Sequence, residues 1–179
     1  MKMQLKALYY LLALMAGSFA FPAGALDSQQ QYRLGSGDEL RINVFGEETL
    51  SGDFQVGARG VVAMPLVGGV PALGLTINQL EAAIENKLKP DYLKNPQVSV
   101  EVLNYRPFYI LGEVNDPGGY PFVSGMSVLE AVALAGGFTY RAKTSKVYIR
   151  RASNQKEELI SITEVVLPGD IIRVRERIF

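Results

Sequence analysis

The stretch from Phe108 to Phe138, FYILGEVNDPGGYPFVSGMSVLEAVALAGGF, decides the fold. It opens on an apolar, β-prone run, Phe108 to Leu111, with Val114 just beyond. Asn115-Asp116-Pro117-Gly118-Gly119 follows. This is a dense turn signal: Asn and Asp bond nearby backbone, Pro fixes φ, and Gly enters the left-handed region freely. Tyr120 to Val123 is predicted to return as the partner strand. Beyond Gly125, Ser127 and Glu130 have the S-x-x-E spacing of a capping box, in which each side chain satisfies an amide at a helix start. The predicted helix carries Val128, Leu129, Val132 and Ala135 on one face and ends at Gly136-Gly137, a left-handed stop. A hairpin followed by a helix is the scaffold.

Downstream, Lys146 to Arg151 alternates as a strand, with Val147 and Ile149 inward and Tyr148 and Arg150 outward. Ala152 to Glu158 is polar and predicts a loop, and Leu159 to Ile162 a further strand. Leu167-Pro168-Gly169-Asp170 turns into a last strand, Ile171 to Val174. Two strands, a helix, then more strands is the order of a β-grasp fold.

Upstream, Gly37-Asp38 turns into a strand with Leu40, Ile42 and Val44 inward and Arg41 and Asn43 outward. Phe54 to Val56 and Val61 to Met64 predict short strands separated by Gly57 to Gly60. Gly68-Gly69 and Pro71 predict a loop. Thr76 with Gln79 forms a second capping box, and Ile77, Leu80, Ile84 and Leu88 share one face of the helix behind it. Pro90 to Pro96 breaks that helix, and Gln97 to Leu103 alternates again, with Val98, Val100 and Val102 on one face. The two halves echo each other: Gly37-Asp38-Glu39-Leu40-Arg41-Ile42 parallels Gly169-Asp170-Ile171-Ile172-Arg173-Val174. Gly74-Leu75-Thr76-Ile77 likewise parallels Gly125-Met126-Ser127-Val128. Both echoes are too short for a tandem repeat, yet they suggest two small α+β modules divided near Tyr105-Arg106-Pro107.

The first 25 residues have the grammar of a secretory signal: Lys2 and Lys6, an apolar run from Leu8 to Phe21, and Ala23-Gly24-Ala25 as an A-x-A site. An uncleaved anchor is the alternative, but the run is short of the roughly 20 residues a span needs. A short polar lead, Asp27 to Gln31, follows. With no cysteine to lipidate, the mature protein is expected in the periplasm or secreted, and not as a lipoprotein.

Composition excludes several chemistries. In 179 residues, 48% of them hydrophobic, a core is available without disulfides or metals. A formal net charge of zero argues against a nucleic-acid partner. The absence of cysteine and histidine removes thiol nucleophiles, Ser-His catalysis and His- or thiolate-bound zinc. Paired carboxylates are the route left open. Asp38/Glu39 are strand neighbours pointing to opposite faces, and Glu47/Glu48 and Glu157/Glu158 read as solvated loop charges. Asp38 and Asp170, each after a glycine at a strand entry, read as turn residues. Gly35-x-Gly37 is followed by a strand and not a helix, so it is no phosphate loop. No enzyme activity, cofactor or metal is expected. The remaining interest is a set of aromatic and arginine side chains suited to sugar rings and acidic glycans: Tyr105, Tyr109, Tyr120 and Tyr140, with Arg106, Arg141 and Arg150.

Taken in order, the motifs resemble the polysaccharide export family, which carries capsule or exopolysaccharide out of Gram-negative bacteria. Tyr32-x-Leu34-Gly35-x-Gly37-Asp38-x-Leu40 resembles the family's opening motif. Met64-Pro65-Leu66-Val67-Gly68-Gly69-Val70 with Gly74-Leu75-Thr76 resembles its next segment, and Asn95-Pro96-Gln97-Val98-Ser99-Val100 its following strand. Leu111-Gly112-Glu113-Val114, Pro117-Gly118 and Ala135-Gly136-Gly137 resemble its soluble-ligand-binding β-grasp (SLBB) module, and Gly169-Asp170 closes the set. The resemblance implies a signal over 1–25, an export domain over 26–105 (strands with one packed helix) and a β-grasp domain over 106–179. It implies a homo-oligomer that guides polysaccharide between an inner-membrane chain-length regulator, often a tyrosine kinase, and a separate outer-membrane protein. Larger members form rings and cross the outer membrane with a C-terminal helix. Here Arg175 to Phe179 is too short for that, so a pore made by this chain alone is not expected. The alternative is a periplasmic glycan-binding or sensing module that forms no conduit, and a glycoside hydrolase is weaker still for want of a carboxylate pair.

Overall fold

The structure, a computed structural model, describes residues 32–177 apart from 90, 153 and 155. The expected signal segment, the polar lead after it, Pro90 and Phe179 lie outside the described residues. The fold is α+β, built on two hydrophobic cores.

The first core is organised by β1 (Glu39–Val44), whose Leu40, Ile42 and Val44 are buried while Arg41 and Asn43 face outward, as the alternation requires. It lies between β2 (Gly52–Gln55) and β5 (Val98–Asn104), both antiparallel to it. A separate hairpin pairs β3 (Val61–Met64) with β4 (Gly68–Pro71). The sequence predicts a loop at Gly68, Gly69 and Pro71; these residues instead form β4. Pairing with β3 and burial of Val70 opposite Val62 outweigh weak strand propensity. Pro71 sits at the end of a two-stranded sheet, where a missing donor does little harm. Helix α1 (Ile77–Leu88) starts at the Thr76–Gln79 capping box and buries Leu80, Ile84 and Leu88, with Ile77 half-buried.

That helix also closes an open sheet edge. The outer amides of Val98 and Val100 on β5 donate to Glu85 Oε1 (3.2 Å) and Glu81 Oε1 (2.9 Å). Two carboxylates one helical turn apart thus occupy donors that would otherwise template a foreign strand. Glu81→Ala/Glu85→Ala should increase self-association, read by light scattering. The Gln pair, which retains both acceptors, should not.

The second core holds β6 (Phe108–Gly112), β7 (Gly118–Tyr120), α2 (Val128–Leu134), β8 (Lys146–Arg150), β9 (Glu157–Ser161) and β10 (Ile171–Val174). The sheet order is β7-β6-β10-β8-β9, and β10 runs parallel to β6 in the middle, a β-grasp arrangement. Helix α2 covers one face, on which Phe108, Ile110, Val147, Ile149, Ile172 and Val174 are buried.

Three expectations are corrected here. The return strand is Gly118–Tyr120, earlier than Tyr120 to Val123, because the turn closes at Pro117 and Pro121 then ends the ladder. Strand β9 starts at Glu157, inside the predicted loop, its polar residues lying on an exposed sheet edge. Leu129 is 48% exposed, and Ala131 takes its place in the core. The buried set Val128, Ala131, Val132 and Ala135 has the i, i+3, i+4, i+7 spacing, whereas Leu129 lies 100° round from Val128.

The two halves of the deciding stretch close on each other. Asn115 N donates to Gly137 O (3.1 Å), Asp116 N to Ala135 O (2.9 Å), and Asn115 Nδ2 to Gly136 O (2.6 Å). The hairpin turn thereby caps the helix carbonyls that have no intrahelical partner.

At the other end of α2, Ser127 N and Oγ both donate to Glu130 Oε2 (2.7 and 2.8 Å), the amide first in effect, and hold this carboxyl below its ordinary 4.5. A lowered carboxyl stabilises the fold above the unfolded value and loses that contribution as pH falls through the folded one. Thermal unfolding of wild type should therefore lose ground to Glu130→Gln as pH drops from about 5 to 3. An unchanged difference would remove the box from the stability of α2.

Candidate functional site

The polar centre of the protein lies between the two cores and is built from a turn used twice. In Gly35–Asp38, Asp38 N donates to Gly35 O (3.2 Å) and Gly35 N to Asp38 Oδ2 (2.7 Å), with Gly37 at φ +98°. In Leu167–Asp170, Asp170 N donates to Leu167 O (3.1 Å) and Leu167 N to Asp170 Oδ2 (2.7 Å), with Gly169 at φ +80°. A positive φ at the third position is the type II signature, and glycine supplies it without strain. The short sequence echo is therefore a real repetition of turn geometry.

Arg106 lies between these turns. Its amide donates to Asp38 Oδ1 (3.0 Å), and its Nη1 to Asp38 Oδ2 (3.1 Å) and to the Tyr32 hydroxyl (2.9 Å). The Tyr32 hydroxyl in turn donates to Asp38 Oδ2 (2.6 Å). A Cβ on Gly35 would fall onto the guanidinium, and one on Gly169 would stand 2.6 Å from Nε. Both turns thus need glycine where Arg106 passes, Gly35 for space alone. Two backbone bonds complete the junction: Gly169 N to Pro107 O (3.2 Å) and Tyr109 N to Asp170 O (2.9 Å). Tyr105 wedges edge-on between Tyr32 (4.9 Å) and Phe122 (5.3 Å).

The electrostatics follow from burial. Asp38 is fully buried, and its carboxylate is met by four donors: two amides, a phenol and a guanidinium. Burial first, and the hydrogen bond to Asp38 second, push the Tyr32 hydroxyl far above the ordinary tyrosine range, so it stays a neutral donor. Burial likewise raises Tyr105. Asp170 is raised chiefly by burial, against the opposing Leu167 amide and Arg151. Arg151 Nη1 meets its Oδ2 at 2.6 Å, while Oδ1 makes no well-formed bond, the nearby Ala152 amide only lowering the pKa. Apart from Asp170 Oδ1, these groups are paired with one another. The junction is suited to fixing two modules in place.

The other motif residues serve turns and caps. Pro65 and Gly68 flank the tip of the β3–β4 hairpin, where Leu66 takes φ +64°. Thr76 caps α1, and Pro96 is buried before β5. Gly112, at φ +92°, passes against the Val174 carbonyl, and Glu113 Oε2 accepts from Thr139 Oγ1 (2.6 Å). Pro117 and Gly118 form the turn into β7, and Gly136 and Gly137 end α2 with positive φ.

The six side chains singled out as a glycan or partner surface do not gather in one place. Tyr105 and Arg106 belong to the junction. Tyr120 is half-buried, stacked on Phe108 at 6.0 Å, with its hydroxyl donating to Asp116 O. Tyr140 is 87% exposed, beside Arg141, which is ion-paired with Glu176. Arg150 stands on the open face of the second sheet. Sequence reasoning missed Tyr32 and Arg151 as partners of the two aspartates. The repeated Gly-Asp turn was the available signal, since a buried carboxylate demands a cation or several donors. Among the described residues no group of three or more Asp or Glu is placed to hold a metal ion, and no helix is long and apolar enough to cross a membrane.

Comparison with known proteins agrees with this two-part construction. Residues 26–103 match the family described as Polysaccharide biosynthesis/export protein, and residues 107–163 match the SLBB domain. The chain belongs to the polysaccharide export family. It is similar to the exopolysaccharide production protein ExoF of Rhizobium meliloti, with 36% identity over 159 residues, 82% of this chain and 37% of that protein. It is also similar to the polysialic acid transport protein KpsD of Escherichia coli (27% over 160 residues, 88% of this chain and 29% of that protein). A third relative is the EPS I polysaccharide export outer membrane protein EpsA of Ralstonia nicotianae (30% over 161 residues, 83% and 42%). The chain thus spans from 29% to 42% of the length of these relatives.

Proposed function

We propose that this chain is a periplasmic component of exopolysaccharide or capsule export. In this reading it oligomerises and guides polymer between an inner-membrane chain-length regulator, often a tyrosine kinase in such systems, and a separate outer-membrane protein. The observation that carries the proposal is an export domain followed by an SLBB domain, with the two cores joined through Arg106. The names of the relatives, which speak of production, transport and export of polysaccharides, support the same direction. Passive guidance also suits a polar centre whose carboxylates are tied up in turns. In the same reading the export domain covers 26–105 and the β-grasp domain 106–179.

Deleting the coding sequence should leave polymer synthesis intact and remove polysaccharide from the cell surface, with restoration by the wild-type chain. Normal surface polymer in the deletion strain would overturn the proposal. Native mass spectrometry tests the assembly separately: a closed ring supports a conduit, and a monomer that binds glycan supports a sensing module instead.

A further inference from the structure

The second sheet has one face under α2 and one face open, and the open face has its own composition. By register, one row reads Gly119, Tyr109, Ile171, Arg150 and Glu157 across β7, β6, β10, β8 and β9. The next reads Leu111, Arg173, Tyr148 and Leu159, and beyond it Lys146 stands opposite Ser161. Arg175, just past β10, places its Cζ 3.8 Å from the centre of the Tyr148 ring.

Four cations, Lys146, Arg150, Arg173 and Arg175, therefore share this face with one acid, Glu157, in a chain whose formal net charge is zero. Glu157 pairs with Arg173 and, at 4.0 Å, with Arg175. Lys146 and Arg150 have no acidic partner among the described residues. The neighbouring carboxylates are engaged elsewhere: Glu113 accepts from Thr139, and Glu176 pairs with Arg141. Glu158 points to the opposite side of β9, opposite Ile149.

Among these cations lie flat platforms. The Tyr109 ring packs against Gly119, where a Cβ would come within 2.9 Å of it, and the residue is 45% exposed. The Arg175 guanidinium lies over Tyr148 in the same manner. Sugar rings stack on such surfaces, and carboxylates match the arginine forks. Five strands about 4.8 Å apart and three rows about 7 Å apart give roughly 300 Å². That is well short of the ~800 Å² each partner contributes to a stable protein interface, but it suits a strip of polymer.

We infer that the open face of the β-grasp sheet binds an acidic polysaccharide, with Lys146 and Arg150 meeting its carboxylates and Tyr109 stacking on its sugar rings. The inference rests on the export reading for the polymer being a polysaccharide, while its acidity is read from the face itself.

The test is titration of the full chain with polygalacturonate, neutral dextran, poly-L-glutamate and phosphatidylglycerol vesicles. Polygalacturonate should bind, weaken as salt rises, and outcompete poly-L-glutamate and the vesicles, while dextran should not bind. Lys146→Gln/Arg150→Gln should lower the affinity about tenfold or more with an unchanged melting temperature, and Arg33→Gln, away from the face, should not. Tyr109→Ala should erase the preference for the sugar polymer over polyglutamate. The inference is overturned if polygalacturonate does not bind, if dextran or the vesicles bind as well, or if the Lys146/Arg150 variant keeps its affinity. Failure here with an export-defective deletion strain removes only the acidic-polymer face. Binding here with normal surface polymer in that strain removes the export reading instead.

Discussion

Arg106→Ala is expected to destabilise the protein by about 3–5 kcal/mol, because it removes one member of a buried ion pair and leaves the Asp38 carboxylate behind. Two amides and the Tyr32 hydroxyl still donate to Asp38, which favours the lower end of that range. Denaturant unfolding measures the loss. A second consequence distinguishes a junction from an ordinary core contact. Arg106 passes between a turn of the first core and a turn of the second, so its removal should split one cooperative transition into two. Gly35→Ala is the independent approach: its Cβ would enter the space of the guanidinium without touching Asp38. It should reproduce part of the loss, and the double variant should lose less than the sum of the singles, because both remove the same contact. Additive effects would show that the arginine and the glycine act separately.

Gly112→Ala is expected to cost about 4 kcal/mol or more, concentrated in the second core. Two effects combine. At φ +92° any side chain bears the left-handed penalty of about 1–2 kcal/mol, and the new Cβ would also collide with the Val174 carbonyl oxygen. That obstacle is backbone, held by the parallel β6–β10 pairing and by the bond from Glu113 N (3.0 Å), so it cannot swing away like a side-chain tip. Gly74 is the control: its φ is +77°, but nothing lies within 4 Å of its Cβ position. Gly74→Ala should show the conformational penalty alone. Hydrogen exchange should place the Gly112→Ala loss in the strands around β10. Equal costs at the two glycines would remove the steric part of the argument.

Much of the fold was legible because it rests on local chemistry. The capping boxes at Thr76 and Ser127, the alternation of Leu40, Ile42 and Val44, and the glycines ending α2 are each specified within four or five residues. What escaped was decided by contacts distant in sequence. Gly68 to Pro71 has poor strand propensity and becomes a strand only because β3 pairs with it. Leu129 is apolar enough for the core, but its angle on a short helix excludes it. At the junction, the turn role of Asp38 and Asp170 was readable from Gly-Asp before a strand. The arginine beside each was not: Arg106 is 68 residues from Asp38, and Arg151 is 19 from Asp170. Aromatic and arginine residues chosen by type alone scattered over junction, core and surface, because type does not say which side of a sheet a residue occupies.

The geometry is two modules fixed through Arg106, and the proposed function is passage of polysaccharide to the surface. Both are tested together by the ratio of surface to total polymer in a deletion strain carrying only the Arg106→Ala chain, at matched chain levels. Wild-type total polymer with a sharply reduced surface fraction is the expected result. A surface fraction equal to wild type, with the unfolding transition of the purified variant split in two, would contradict it.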